Sequence, residues 1–211
     1  NNAVQQCNLS GQASEVCRFV IRDASRAVIG TTTQPFNLSV TKTDGFDVEM
    51  GYRVPLSNFA FLGDDPGQLN LRLVTGYISQ RVTISPLVPI TRNAVGVQGS
   101  PKVRANFTAN YTKGKWSTQA QVRYIGDQIW DRNRTIGVDT NFNHIADRAY
   151  LDGQISYKLS ETQEYYINVQ NVLDRDPAFS PNPGGATPTQ TDTGLYDQVG
   201  RNIRLGFRLR Y

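Results

Sequence analysis

The sequence predicts an all-β chain of about seven antiparallel strands that cross a membrane as part of a barrel wall. Three observations carry this reading. Apolar and polar residues alternate with period two over repeated stretches. The connections between those stretches alternate between short and long. Aromatic residues gather at one end of the stretches.

Composition sets the outer limits. Only 38% of residues are hydrophobic and mean hydropathy is −0.44, which suits a wall whose strands give half their side chains to a polar lumen. No stretch approaches the roughly 18 apolar residues of a spanning helix. No segment carries a clear 3.6-residue apolar stripe. The start Asn1-Asn2-Ala3, without Met or a basic-then-apolar leader, is read as that of a fragment or a mature segment. Net charge is +4 with pI near 9.1, but the basic residues form no run, so no nucleic-acid partner is expected.

The strands follow in chain order at about 36–54, 68–83, 102–111, 116–129, 147–158, 164–173 and 200–211. Successive side chains on a strand point to opposite faces, so alternation assigns each residue to lipid or lumen. In the first, Phe46, Val48, Met50, Tyr52 and Val54 alternate with Asp47, Glu49, Gly51 and Arg53. In the second, Leu69, Leu71, Leu73, Thr75 and Tyr77 alternate with Asn70, Arg72, Val74 and Gly76. The third sets Val103, Ala105, Phe107 and Tyr111 against Lys102, Arg104, Asn106 and Asn110. The fourth sets Trp116, Ala120, Val122 and Tyr124 against Gln119, Gln121 and Arg123. The fifth sets Leu151, Ile155 and Tyr157 against Asp152, Gln154, Ser156 and Lys158. In the sixth, Tyr165, Ile167 and Val169 alternate with Asn168 and Gln170. The last is the clearest: Ile203, Leu205, Phe207, Leu209 and Tyr211 oppose Arg204, Gly206, Arg208 and Arg210.

Residues 112–115 and 160–163 read as tight turns, and 55–67 as an intermediate connection on the same side. Segments 84–101, 130–146 and 174–199 are long and polar. Short turns on one side and long loops on the other are the barrel pattern. With the short turns placed in the periplasm, Tyr52, Tyr111, Trp116, Tyr157, Tyr165 and Tyr211 form an aromatic girdle on the lipid face. Residues 1–35 then form an extracellular loop region. Cys7 and Cys17, a close isolated pair, are expected to be disulfide-bonded in an oxidising compartment.

No catalytic constellation is found, and neither cofactor nor metal is expected. His144, the only histidine, lies in a polar loop, and no nucleophile elbow exists. Asp139-Thr140-Asn141-Phe142-Asn143 mimics the start of a calcium loop. His144 stands where that loop's turn needs Gly. Sequons begin at Asn8, Asn37, Asn106, Asn110 and Asn133. Asn106 and Asn110 fall on the polar strand face and read as hydrogen-bonding lumen residues.

The stretch Asn168-Val169-Gln170-Asn171-Val172-Leu173-Asp174-Arg175-Asp176-Pro177 resembles the penultimate strand of a TonB-dependent outer-membrane receptor. Tyr196-Asp197-Gln198-Val199-Gly200-Arg201, leading into the final strand, resembles that family's C-terminal stretch. Pro101 to Asn106, Arg123-Tyr124-Ile125-Gly126 and Tyr150-Leu151-Asp152 are similar to further stretches of such barrels. The resemblance covers about 36–211. It implies the C-terminal part of a barrel of about 22 strands with a plugged lumen. It also implies a bacterial outer membrane, import of a scarce nutrient (siderophore, vitamin or oligosaccharide), and an energy-coupling TonB partner reached through the N-terminal part. The substrate-binding residues are not legible. A porin-like or adhesin-like barrel segment is the alternative.

Two residue groups follow from this reading. The lumen face carries Arg53, Arg72, Arg104, Arg123, Arg204 and Arg208, together with Lys102, Lys158 and Arg210, against Asp47, Glu49 and Asp152. Structural pairing with an acidic plug surface is preferred there to a path for anionic solutes. Arg204, Gly206, Leu209 and Tyr211 resemble the C-terminal signal read by the barrel-assembly machinery. The other expected partners are outer-membrane lipid, the plug and the remaining barrel strands.

Alternation yields a direct test. Single cysteines at Leu205, Phe207 or Leu209 should react with a lipid-soluble thiol reagent, and those at Arg204 or Arg208 with a membrane-impermeant one. Equal labelling of both sets would contradict the barrel reading.

Overall fold

The computed structural model describes residues 2–13, 15–32, 40–59, 63–85, 88–180 and 190–210. These fold as two compact units, residues 1–44 with 80–94 and residues 45–79 with 95–211.

The first unit contains helix α1 (Asn2–Leu9), a 3₁₀ turn (Glu15–Phe19), and the hairpin of β1 (Val20–Arg22) and β2 (Val28–Thr31). No helix was expected here, because eight residues with few apolar members carry no readable stripe. Tertiary links hold it instead. A disulfide joins Cys7 to Cys17 with Cα atoms 5.0 Å apart, and Cys7, Val16 and Val20 form a small buried cluster. The turn between β1 and β2 closes on Asp23, whose Oδ1 accepts hydrogen bonds from Ser25 Oγ, Ser25 N and Ala27 N. The Ser25 hydroxyl, then the Ala27 amide, hold that carboxyl below the usual carboxylate range.

This unit also revises the loop expected at 84–101. β5 (Val88–Asn93) pairs antiparallel with the end of β4 (Gln68–Ser85), Val82 opposite Asn93 and Ser85 opposite Val88. The β-branched residues Ile84, Val88 and Ile90 favour a pleated strand.

The second unit is an antiparallel sheet. Its strands are β3 (Val40–Val54), whose first residues belong to the first unit, β4, whose last residues belong to it, then β6 (Val103–Lys113), β7 (Trp116–Ile125), β10 (Arg148–Lys158), β11 (Gln163–Gln170) and β12 (Asn202–Leu209). Their spatial order is β12-β11-β10-β7-β6-β4-β3, so chain neighbours pair throughout. These are the seven strands read from the sequence. Their described starts and ends fall short of some expectations: 36–39 and Tyr211 lie outside the described residues, and two strands end early. The fourth stops at Ile125, where Gly126 N donates to Val103 O; Gln128–Ile129 then forms β8, paired with β9 (His144–Ile145) inside the segment read as loop. The sixth stops at Gln170 because Asn171 takes a left-handed backbone, φ 51°.

Register sorts the connections by side. Gln68 faces Thr112, Trp116 faces Tyr157, and Gln163 faces Leu209, so the connection before β4 and the turns after Lys113 and Lys158 share one end. Tyr77 faces Val103, Arg148 faces Ile125, and Gln170 faces Asn202 at the end that carries the long connections. Of the girdle residues, Tyr111, Trp116, Tyr157 and Tyr165 lie at the short-turn end. Tyr157 faces both Trp116 and Tyr165, with the Trp116 and Tyr157 ring centroids 4.7 Å apart. Tyr111 Oη donates to Pro66 O at 3.0 Å, a polar tip anchored beside an apolar ring.

The apolar face has no protein cover. Met50 is 61% exposed, Leu205 75% and Phe207 67%, although all three lie in regular strands. A soluble sheet would have to bury such a face. The main buried cluster lies instead at the long-loop end, where Ile125, Ile145, Tyr150, Ala178 and Tyr196 pack together. Among the described residues β3 and β12 are the outer strands and do not pair with each other.

Gly206 has a local reason to be glycine. A Cβ there would collide with Tyr166 Cζ and Oη, so the ring of the facing residue occupies the place of a side chain. Overpacking of this kind costs about 1–3 kcal/mol. Gly206→Ala should therefore lower the unfolding midpoint, and combining it with Tyr166→Ala should remove most of the added cost. Additive losses in a double-mutant cycle would refute the contact.

Candidate functional site

The polar face of the sheet is where chemistry collects, because alternation gives it nearly every charge in the sheet. Three ion pairs bridge neighbouring strands. Arg72 Nε donates to Glu49 at 2.8 Å, Arg123 Nε to Asp152 at 2.5 Å, and Arg208 Nη1 to Glu164 at 2.7 Å. The wall thus supplies acids for three of its own arginines. Glu164 was not singled out in the sequence; its even-numbered place beside Asn168 and Gln170 was the signal for it.

The pairs differ in burial. Arg72 and Glu49 are each about 60% exposed in their side chains. Screening makes such a pair weak. Arg123 and Asp152 are 33% and 14% exposed. Arg123 Nη2 donates to the second Asp152 oxygen at 3.1 Å, and Asn171 N donates to that same oxygen at 2.9 Å. Asp152 therefore satisfies a fork from β7 and the backbone at the exit of β11. Charge-assisted bidentate pairs are among the strongest hydrogen bonds.

Asn171 is fully buried. Its Nδ2 donates to Arg175 O and its Oδ1 accepts from Arg175 N, both at 2.9 Å, closing a tight ring. Asp174, also left-handed at φ 52°, accepts from Arg201 N at 2.8 Å where the chain returns to β12. Asn and Asp tolerate this backbone region and bond to nearby main chain.

A roof lies over the loop end of the polar face. Gln128 Nε2 donates to Tyr196 Oη at 2.9 Å, and Gln128 Oε1 accepts from Ser100 N. Burial pushes the Tyr196 hydroxyl up to about 12, so it stays protonated across physiological pH. The Arg123 guanidinium sits 5.2 Å from the centroid of the buried Tyr150 ring. A cleft of about 420 Å³ remains between wall and roof, lined by Gln121, Arg123, Asp152 and Gln170 below and by Thr193–Asp197 above.

The other residues named from the sequence are placed as follows. Arg53 Nε donates to Asn70 Oδ1 at 3.2 Å and Arg204 Nε to Asn202 Oδ1 at 3.1 Å. Arg104 faces Gly76 and Ile125 across its neighbouring strands. His144 is exposed on β9, 3.9 Å from Asp127. In the calcium-like segment Asp139 accepts from Thr135 N, and Asn143 donates to Asp131 O and Arg134 O, so both side chains organise the turn. Among the described residues no group of three or more His, Cys, Asp or Glu could hold a metal ion. Among the sequons, Asn8 accepts from Arg22, and Asn37 lies outside the described residues. Leu209 is exposed on the apolar face and faces Gln163; Tyr211 lies outside the described residues.

Against this geometry, a family model described as TonB dependent receptor-like, beta-barrel matches residues 9–209. The chain belongs to the TonB-dependent receptor β-barrel family. No curated protein and no solved structure matches it. The uncovered apolar face of the sheet is thus the lipid face of an outer-membrane barrel wall, and the polar face lines its lumen. TonB-dependent receptors are transporters of the Gram-negative outer membrane.

The Asp152 hub gives the sharpest stability test. Asp152→Asn removes a charge from a bidentate, largely buried pair and should destabilise by about 1–3 kcal/mol. Arg123→Gln in that background should cost much less than Arg123→Gln alone. Urea titration of the receptor in detergent reads both. Equal effects of Arg123→Gln in the two backgrounds would show that the residues are uncoupled.

Proposed function

We propose that this chain forms the lumen wall and outer loops of a receptor that imports a scarce nutrient, a siderophore, vitamin or oligosaccharide, using energy delivered by TonB. The observation that carries the reading is a sheet with one bare apolar face and one ion-paired polar face, in a chain of this family over 9–209. A bare apolar face belongs in lipid. A polar face cross-linked by its own ion pairs can line a path without charge left against hydrocarbon.

In this reading residues 1–35 lie outside the cell, where the Cys7–Cys17 bridge persists, and 36–211 form the wall. The lumen face meets a plug and the missing strands complete the barrel. Arg204, Gly206, Leu209 and Tyr211 serve as the signal for the barrel-assembly machinery. Gly206 then has a second role beside housing the Tyr166 ring, since it keeps the strand backbone open. Leu209 faces lipid, and Tyr211 anchors the strand end at the interface.

Energy coupling separates this reading from a passive pore or an adhesin. Uptake by cells carrying the receptor should stop when a protonophore collapses the inner-membrane gradient or when TonB is removed. Uptake that continues unchanged would show a passive pore, and binding without uptake an adhesin.

A further inference from the structure

One lumen-face feature is used neither by the ion pairs nor by the roof. Asn70 faces Asn110, Asn110 faces Gln119, Gln119 faces Gln154, and Gln154 faces Asn168. Five consecutive strands thus place five carboxamides in one unbroken row. Strands lie about 4.8 Å apart. The row therefore repeats at about that spacing over about 19 Å. One step toward the loops, Gln121 faces Asp152, and the cleft of about 420 Å³ opens above them.

The hydrogen-bonding capacity of this surface is largely unspent. Among the described residues the side chains of Asn110, Gln119, Gln154 and Asn168 make no hydrogen bond, nor do those of Gln121 and Gln170 in the cleft. Asn70 accepts only from Arg53. Each carboxamide offers both donors and acceptors. In the cleft the one guanidinium is already paired: both Asp152 oxygens are taken by Arg123, and one of them also accepts from Asn171 N.

We propose that the cleft and the carboxamide row beneath it bind a neutral polyhydroxylated solute, a saccharide chain. The proposal rests on the import reading and names the substrate class within it. A sugar hydroxyl donates and accepts at one atom, so it pairs with a carboxamide through either group. A repeating chain of such hydroxyls suits a repeating row of amides. An anionic ferric chelate would find the cleft guanidinium already held by a carboxylate. An apolar ligand would strand the amides without partners, at a cost for each polar group desolvated. Thr193 and Asp197 add polar groups from the roof, and half-buried Leu195 offers an apolar edge for the C–H face of a ring.

The test uses the intact receptor purified from outer membranes, incubated with a printed array of neutral glycans and, separately, with a ferric tris-catecholate and with cyanocobalamin. The expected result is binding to at least one glycan series. Gln121→Leu and Gln170→Leu should each weaken that binding at least tenfold. Asn110→Leu with Gln154→Leu should reduce energy-dependent uptake of the same glycan at least fivefold. Heat-modifiable folded protein should remain at wild-type level, and Gln121→Asn, which shortens the arm but keeps the amide, should retain part of the affinity. Absence of glycan binding, or glycan binding unchanged in the leucine variants, overturns the proposal. Energy-dependent uptake of the ferric chelate or the cobalamin, with no glycan bound, rejects the saccharide class and leaves import standing. Absence of energy-dependent uptake of any solute defeats the import reading itself. Cysteines at Gln121 and Gln170 that a small hydrophilic maleimide cannot reach would show the cleft filled by polypeptide, which also overturns it.

Discussion

A strand in hydrocarbon has no water to satisfy its backbone, so each N–H and C=O inside the apolar band must find a partner on a neighbouring strand. Much else in this chain follows from that demand. It forces long, continuous ladders such as the ten registered pairs between β6 and β7, from Arg104 opposite Ile125 to Lys113 opposite Trp116. A ladder of that length fixes register, and register fixes which side chains meet. A slip of one residue would turn Leu205 and Phe207 into the lumen and Arg204 and Arg208 into lipid. Placing a charge near the bilayer midplane costs about 2–4 kcal/mol.

Register in turn creates the lumen chemistry. Asp152 reaches Arg123 because Tyr150 faces Arg123 on the next strand, which sets the carboxylate one diagonal step away on the same face. Glu164 faces Arg208 directly. The carboxamide row exists only as a register, since its five members are separated in sequence by turns and strand lengths with no common repeat. Among the described residues the same sheet therefore pairs three of its arginines with acids and leaves four of the five amides in the row without a side-chain hydrogen bond. Paired charges tie strand to strand, and free amides keep hydrogen-bonding capacity for something else.

The two ends of the sheet meet different demands. At the short-turn end the tilted rings of Trp116 and Tyr157 pack against one another where lipid gives way to water. At the other end the long connections cannot enter lipid, so they close over the lumen side around Tyr150 and Tyr196. Asn171 and Asp174 make that turn sharp by accepting a left-handed backbone and bonding to their own neighbours. The resemblance to the family's penultimate strand thus has a local physical content. Its Asn and Asp are the residues that let the chain leave one wall strand and return to the next.

The sequence by itself determined the seven strands, the face of each residue and the side on which each connection lies, from Phe46 through Leu209. It could do so because a side-chain period of two is a local property, and lipid and lumen enforce it strand by strand. It did not determine helix α1, whose eight residues carry too little pattern and are held by the disulfide and a buried cluster. Nor did it show β5, β8 and β9, short strands that exist only because a partner lies alongside. The tertiary structure alone decided that Glu164 completes a pair, that Tyr166 fills the place of a side chain at Gly206, and that five amides line up across five strands. Each of these depends on which residues of separate strands face each other, and facing is set by ladders between segments far apart in the chain.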